Sequence, residues 1–249
     1  MSASARDPHP SPLEAAAREL AQSHTVSREK ARLVPALTRL HAMSDWLVRA
    51  RARLAVPEGP TAKAAEWLLD NGYLVQRAVR QIRQDLPADF YARLPMLTAG
   101  DDRSAPRVYA VAHALLRASD LQLALPTITR FVNAYQEITP LEMGELWALP
   151  PMLRLGCLEV LVSALQRLVP SLAAPFAVEP CPMALRSLED TECIARAIRG
   201  LSTISAISWK EFFRRTSVVE ATLRDDPAGV YAHMDFDTCD RYRKVVERL

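Results

Sequence analysis

Glycine is scarce in this chain, 7 of 249 residues, and the seven never cluster. No glycine-rich loop of the kind that cradles phosphate can therefore be drawn. Aromatic residues are few at 6% while alanine, leucine and arginine dominate, a composition that favours helices over strands. The four cysteines, Cys157, Cys181, Cys193 and Cys239, are widely spaced without a CxxC pair, which excludes a zinc-ribbon reading and a disulfide framework and fits a reducing cytoplasm. An excess of one charge is missing too. With 31 Lys and Arg against 29 Asp and Glu, interspersed along the chain, there is little reason to expect nucleic acid as a partner.

Other absences narrow the chemistry. The histidines, His9, His24, His41, His113 and His233, never stand four apart, the spacing that would put two metal ligands on one helical face. The G-x-S-x-G elbow of serine hydrolases does not occur. The most apolar window, "LEMGELWALPPMLRLGCLEVLVSALQRLV", is interrupted by Glu142, Glu145, Arg154, Glu159 and the Pro150-Pro151 pair. Lipid would charge several kcal/mol for each such group, so no transmembrane helix is expected. The opening "MSASARDPHPS" lacks an apolar signal core, and residues 1–11 are expected to be a disordered leader.

What is present reads as an all-α protein, and 49% apolar residues suffice for a substantial core. Four capping boxes mark helix starts: Ser11 to Glu14, Thr139 to Glu142, Ser208 to Glu211 and Ser217 to Glu220. In each, the hydroxyl accepts an orphan amide hydrogen and the carboxylate reaches back, which assigns these glutamates to structure. Helices are predicted near 12–24, 28–55 interrupted at Pro35, 61–85, 105–118, 127–137, 140–168 bent at Pro150-Pro151, 183–206, 209–223 and 238–249. The stretch "VPSLAAPFAVEPCPM" holds four prolines and predicts an extended connector over 169–183. It divides a main bundle, 12–168, from a C-terminal helical segment, 184–249, packed on that bundle.

Within 61–85, Ala65, Leu68, Gly72, Val75, Val79, Ile82 and Leu86 recur at steps of three and four, with Glu66, Asp70, Arg77, Arg80 and Gln84 opposite. One buried stripe is predicted. Trp67 and Asn71 flank it, placed for hydrogen bonding at a half-buried helix contact. Arg49, Arg51 and Arg53 fan around more than half of their helix and read as a solvated face. The Asp235 and Asp237 pair in "MDFDT" is the one candidate metal motif, two carboxylates able to share a divalent cation. The competing reading is that Asp237 or Thr238 caps the last helix and Asp235 is solvated.

The strings "AAEWLLDN", "QIRQDLP", "YARLP", "PRVYA", "FVNAYQEITPLEMGELWALPPMLRL" and "DPAGVYAHMDFDTCDRYRKVVERL" together resemble the N-terminal region of the cyclic β-1,2-glucan synthases, over most of 61–168 and 200–249. That family polymerises glucose from UDP-glucose in the bacterial inner membrane. The resemblance implies a cytoplasmic helical region ahead of the first membrane span. The transferase's aspartate motifs and its Q-x-x-R-W signature do not occur in these residues, so no catalytic position is carried over and no cofactor is expected. Asp237 and Cys239 stand where the family reads Ala and Arg, and residues 169–195 look contracted relative to it. The chain is expected to be a piece of a longer polypeptide or a small homologue.

The leading expectation is a non-catalytic domain at the cytoplasmic face of the inner membrane, serving assembly or regulation of the membrane-embedded glucosyltransferase. A stand-alone adaptor acting in trans is one alternative, and a metal-dependent sugar-nucleotide enzyme using Asp235 and Asp237 is another. Tyr135, Trp147, Arg154, Tyr231, Arg241 and Tyr242 are the candidate contact residues, chosen as the aromatic and basic types that dominate interfaces.

Overall fold

The computed structural model describes residues 11–27, 35–54, 62–100, 102–173, 189–227 and 229–246. They form an all-α bundle: α1 Pro12–Ser23, α2 Pro35–Arg53, α3 Ala62–Asp70, α4 Gly72–Asp85, α5 Ala88–Tyr91, α6 Arg107–Ala118, α7 Leu125–Gln136, α8 Met143–Leu168, α9 Asp190–Ala206, α10 Trp209–Thr216, α11 Val218–Arg224 and α12 Phe236–Val246. A 3-10 turn, Tyr231–His233, precedes α12. Two short strands, β1 Val26–Ser27 and β2 Met96–Leu97, pair antiparallel, with Val26 opposite Leu97. The leader's residues 1–10, most of the proline-rich connector (174–183) and the start of the helix predicted from 183 lie outside the described residues.

Helix α8 is the axis. It is long and apolar enough to cross a bilayer, yet 89% of its most apolar window is buried beneath other helices, as expected of a core helix. Close approach along it depends on small residues. A Cβ placed on Gly156 would stand 2.5 Å from Leu116 Cδ1 of α6, and one on Gly200 of α9 would stand 3.1 Å from Cys157 Sγ. Ile198, Leu201, Phe212 and Phe213 share one hydrophobic core with Leu155, Leu158 and Val79, so the C-terminal helices α9 and α10 pack directly on the bundle.

The predicted stripe is buried as drawn, from Ala65 through Leu86, with Glu66, Asp70, Arg77, Arg80 and Gln84 exposed. The single helix over 61–85 is corrected to two. Asn71 leaves helical geometry at φ −112°, ψ 15°, and its side-chain amide donates to the Trp67 carbonyl at 3.0 Å beside its own backbone N–H at 3.2 Å, a local bond that holds the break. The helix drawn over 209–223 is also two, divided at Ser217, whose hydroxyl caps α11 by accepting from the Glu220 amide. Helix α5 was not anticipated.

The capping boxes fare differently from one another. Ser11 and Glu14 form theirs as drawn. At Thr139 the structure shifts the start by three residues, because Glu142 is the cap of α8 and Glu145 reaches back to the Glu142 amide at 2.9 Å. Ser208 precedes α10 without a side-chain cap, and Glu211 pairs with Arg215 instead.

Candidate functional site

A cleft of about 840 Å³ opens where the end of α4, α5, the N-terminal half of α8 and α10 converge. Its walls are aromatic: Phe90 from α5, Trp147 from α8, and Trp209 and Phe213 from α10. Trp147 and Phe213 stack with ring centroids 4.0 Å apart. Trp209 donates its indole N–H to the Ile204 carbonyl at 3.0 Å, which fixes that ring. Pro150 and Pro151 line the same side of α8. Neither brings an N–H, so the carbonyls of Leu146 and Trp147 lack their usual helical donors there.

Asp85, Arg93, Glu142 and Arg154 are the charged groups that line the cleft, and Arg154 is buried, only 5% exposed. Its Nη1 stands 3.6 Å from Asp85 Oδ2, and its Nε and Nη1 have no hydrogen-bond partner. Burial pulls its guanidinium below the ordinary arginine range, with Asp85 opposing. Asp85 is half-exposed at the rim.

Three further polar clusters pair carboxylates with neighbouring side chains. Arg107 donates from Nε to Glu145 Oε1 at 2.8 Å, from Nη2 to Glu145 Oε2, and from Nη2 to the Pro140 carbonyl at 3.1 Å. Burial pushes the Glu145 carboxyl up, against the pull of Arg107. His113 Nε2 lies 2.9 Å from Glu159 Oε2, covered by Tyr109, whose hydroxyl donates to the same carboxylate at 3.1 Å. Glu220 accepts from Tyr231 at 2.7 Å, from Arg224 at 2.9 Å and from Arg243. Burial alone would raise the Glu220 carboxyl, but these hydrogen bonds outweigh it and hold it below the usual carboxylate range. Each of these carboxylates meets a partner from another element, which suits cross-linking of the bundle.

Of the residues singled out from sequence, the structure gathers Trp147 and Arg154 in the cleft. Tyr135 and Tyr231 are not on the surface. Tyr135 is fully buried and hydrogen-bonded to His24 at 2.8 Å, and Tyr231 is occupied by Glu220. Arg241 and Tyr242 are exposed on α12, with Tyr242 packed edge-on to Tyr231. The Asp235 reading is corrected: Asp235, not Asp237 or Thr238, caps α12, accepting from the Thr238 amide at 2.9 Å and hydroxyl at 2.8 Å. Those bonds hold its carboxyl below the ordinary aspartate range. Among the described residues no three His, Cys, Asp or Glu gather to hold a metal ion. Asp85, Phe90 and Trp209 were missed as site residues. No local signal marks them, since they meet only through the packing of α4, α5 and α10 on α8.

No family model matches the chain. A stretch of 96 residues, 39% of this chain, is 40% identical to the cyclic β-(1,2)-glucan synthase NdvB of Rhizobium meliloti (strain 1021). It is similar to that enzyme. The stretch spans only 3% of the relative's length.

Proposed function

We propose that this chain is a non-catalytic helical region of a cyclic β-1,2-glucan synthase, working in assembly or regulation of the membrane-embedded glucosyltransferase at the cytoplasmic face of the bacterial inner membrane. The observation that carries the reading is the 40% identity to NdvB over 96 residues. The pairing of the buried carboxylates supports it, because groups fixed by arginine and tyrosine are poorly placed for acid–base work. For the contact surface, α12 and the turn before it offer Arg241 and Tyr242 beside exposed Val230 and Val245, the mixture of basic, aromatic and apolar groups found in interface cores.

Co-purification with a full-length synthase tests this. The wild-type chain is expected to associate, and the double variant Arg241→Ala, Tyr242→Ala to lose most of that association. No association by either form contradicts the reading. Glucosyl transfer from UDP-glucose by the purified chain contradicts the non-catalytic part, and loss of that turnover in Asp237→Ala would favour the enzyme reading.

A further inference from the structure

The cleft beside α8 differs from the Arg107 cluster in how its buried cation is held. Its guanidinium is buried like that of Arg107 but is not satisfied: Arg154 Nε and Nη1 have no hydrogen-bond partner, and the nearest carboxylate is 3.6 Å away on a half-exposed side chain. A guanidinium taken out of water without full compensation costs several kcal/mol, and native proteins retain such groups where something else completes them. Around it stand flat apolar walls whose orientation is set by their own contacts, Trp147 against Phe213 and Trp209 on the Ile204 carbonyl. A volume of about 840 Å³ with a few convergent polar groups is the size and make-up of a small-molecule site.

We propose that this cleft binds a small ring compound carrying a single oxyanion, an aromatic carboxylate or a compound of that chemistry, with its ring against Trp147 and Trp209 and its oxyanion on Arg154. The ring is called for by the walls, since stacked or edge-on aromatic contact gains energy beyond area burial. The oxyanion is called for by the floor, because a charge-assisted bond from arginine is the strongest interaction available there. A single charge is favoured over two because two carboxylates, Asp85 and Glu142, line the site against two cations, Arg93 and Arg154, and would repel a second negative charge. The inference does not rest on the glucan-synthase reading, since the purified chain alone is enough to measure it.

Calorimetry and thermal unfolding with phenylacetate test it, with acetate and benzyl alcohol as the separate halves and phenyl phosphate as the doubly charged counterpart. Phenylacetate is expected to bind with a dissociation constant of about 0.1–1 mM, as suits so small a probe, and to raise the unfolding midpoint, each half binding more weakly. Arg154→Met is expected to weaken binding about tenfold or more. Asp85→Asn, at the rim, is expected to tighten it about fivefold by removing the competing charge, a gain that a purely structural Arg154–Asp85 pair would not produce. Three results would overturn the proposal. One is no heat and no midpoint shift with either aromatic probe in folded wild type and Asp85→Asn. Another is phenylacetate binding that Arg154→Met leaves unchanged. The third is tighter binding of phenyl phosphate than of phenylacetate, which would replace the single-charge ligand with a phosphomonoester.

Discussion

Arg107 and Arg154 are buried to nearly the same degree, 3% and 5% exposed, and both bear on α8, yet their surroundings differ. Arg107 reaches from α6 into a closed contact, where Glu145 takes two of its N–H groups and the Pro140 carbonyl another. Arg154, nine residues beyond Glu145 on α8, lines a cleft, and the carboxylate paired with it, Asp85, stands 3.6 Å away on a half-exposed side chain. The difference separates two uses of a buried charge. Where a carboxylate and a carbonyl take the donors, the pair fixes how helices meet. Where buried donors are left over on a residue that lines a cavity, the charge has capacity for a further partner.

Substitution sharpens that contrast. Arg107→Met strands the Glu145 carboxylate in the core and is expected to lower unfolding free energy by about 3–5 kcal/mol in denaturant titration. The next largest effect comes from acid. The Glu220 carboxyl lies below its unfolded value, so its contribution is complete above about pH 4.3 and is lost as pH falls through the folded value. Helix content measured by circular dichroism should fall on acidification, and Glu220→Gln should make that fall smaller by removing the share that Glu220 contributes. Gly156→Ala drives a methyl against Leu116 and is expected to cost about 1–3 kcal/mol. Arg80→Ala, on the solvent face of α4, should change stability by about 0.5 kcal/mol or less. A loss at Arg80 as large as that at Arg107 would show that burial is not what sets these values.

Much of the helical frame was legible in the sequence, because it depends on nearest neighbours. The Ser11–Glu14 cap and the stripe from Ala65 to Leu86 are local patterns that the fold simply realises. The misplacements have tertiary causes. "TPLE" carries a sound local cap signal, but Glu145 is drawn to Arg107 thirty-eight residues away, and α8 begins where that pairing and the Glu142 cap can both form. Glu220 was read as a capping glutamate, and the Ser217 half of that cap exists, yet its carboxylate is taken by Tyr231 and Arg243. The cleft was only half visible. Trp147 and Arg154 stand seven apart, two turns of one helix, and so share a face. Asp85, Phe90 and Trp209 arrive from distant segments, and no spacing rule connects them.

The most direct test of the distinction between the two arginines is thermal unfolding of Arg154→Met beside Arg107→Met. Removing Arg154 leaves only half-exposed Asp85, which can hydrate, so its midpoint is expected within about 2 °C of wild type or above it, while Arg107→Met falls by about 10 °C. Equal losses in the two variants would mean that Arg154 is as much a structural tie as Arg107 and would contradict the account.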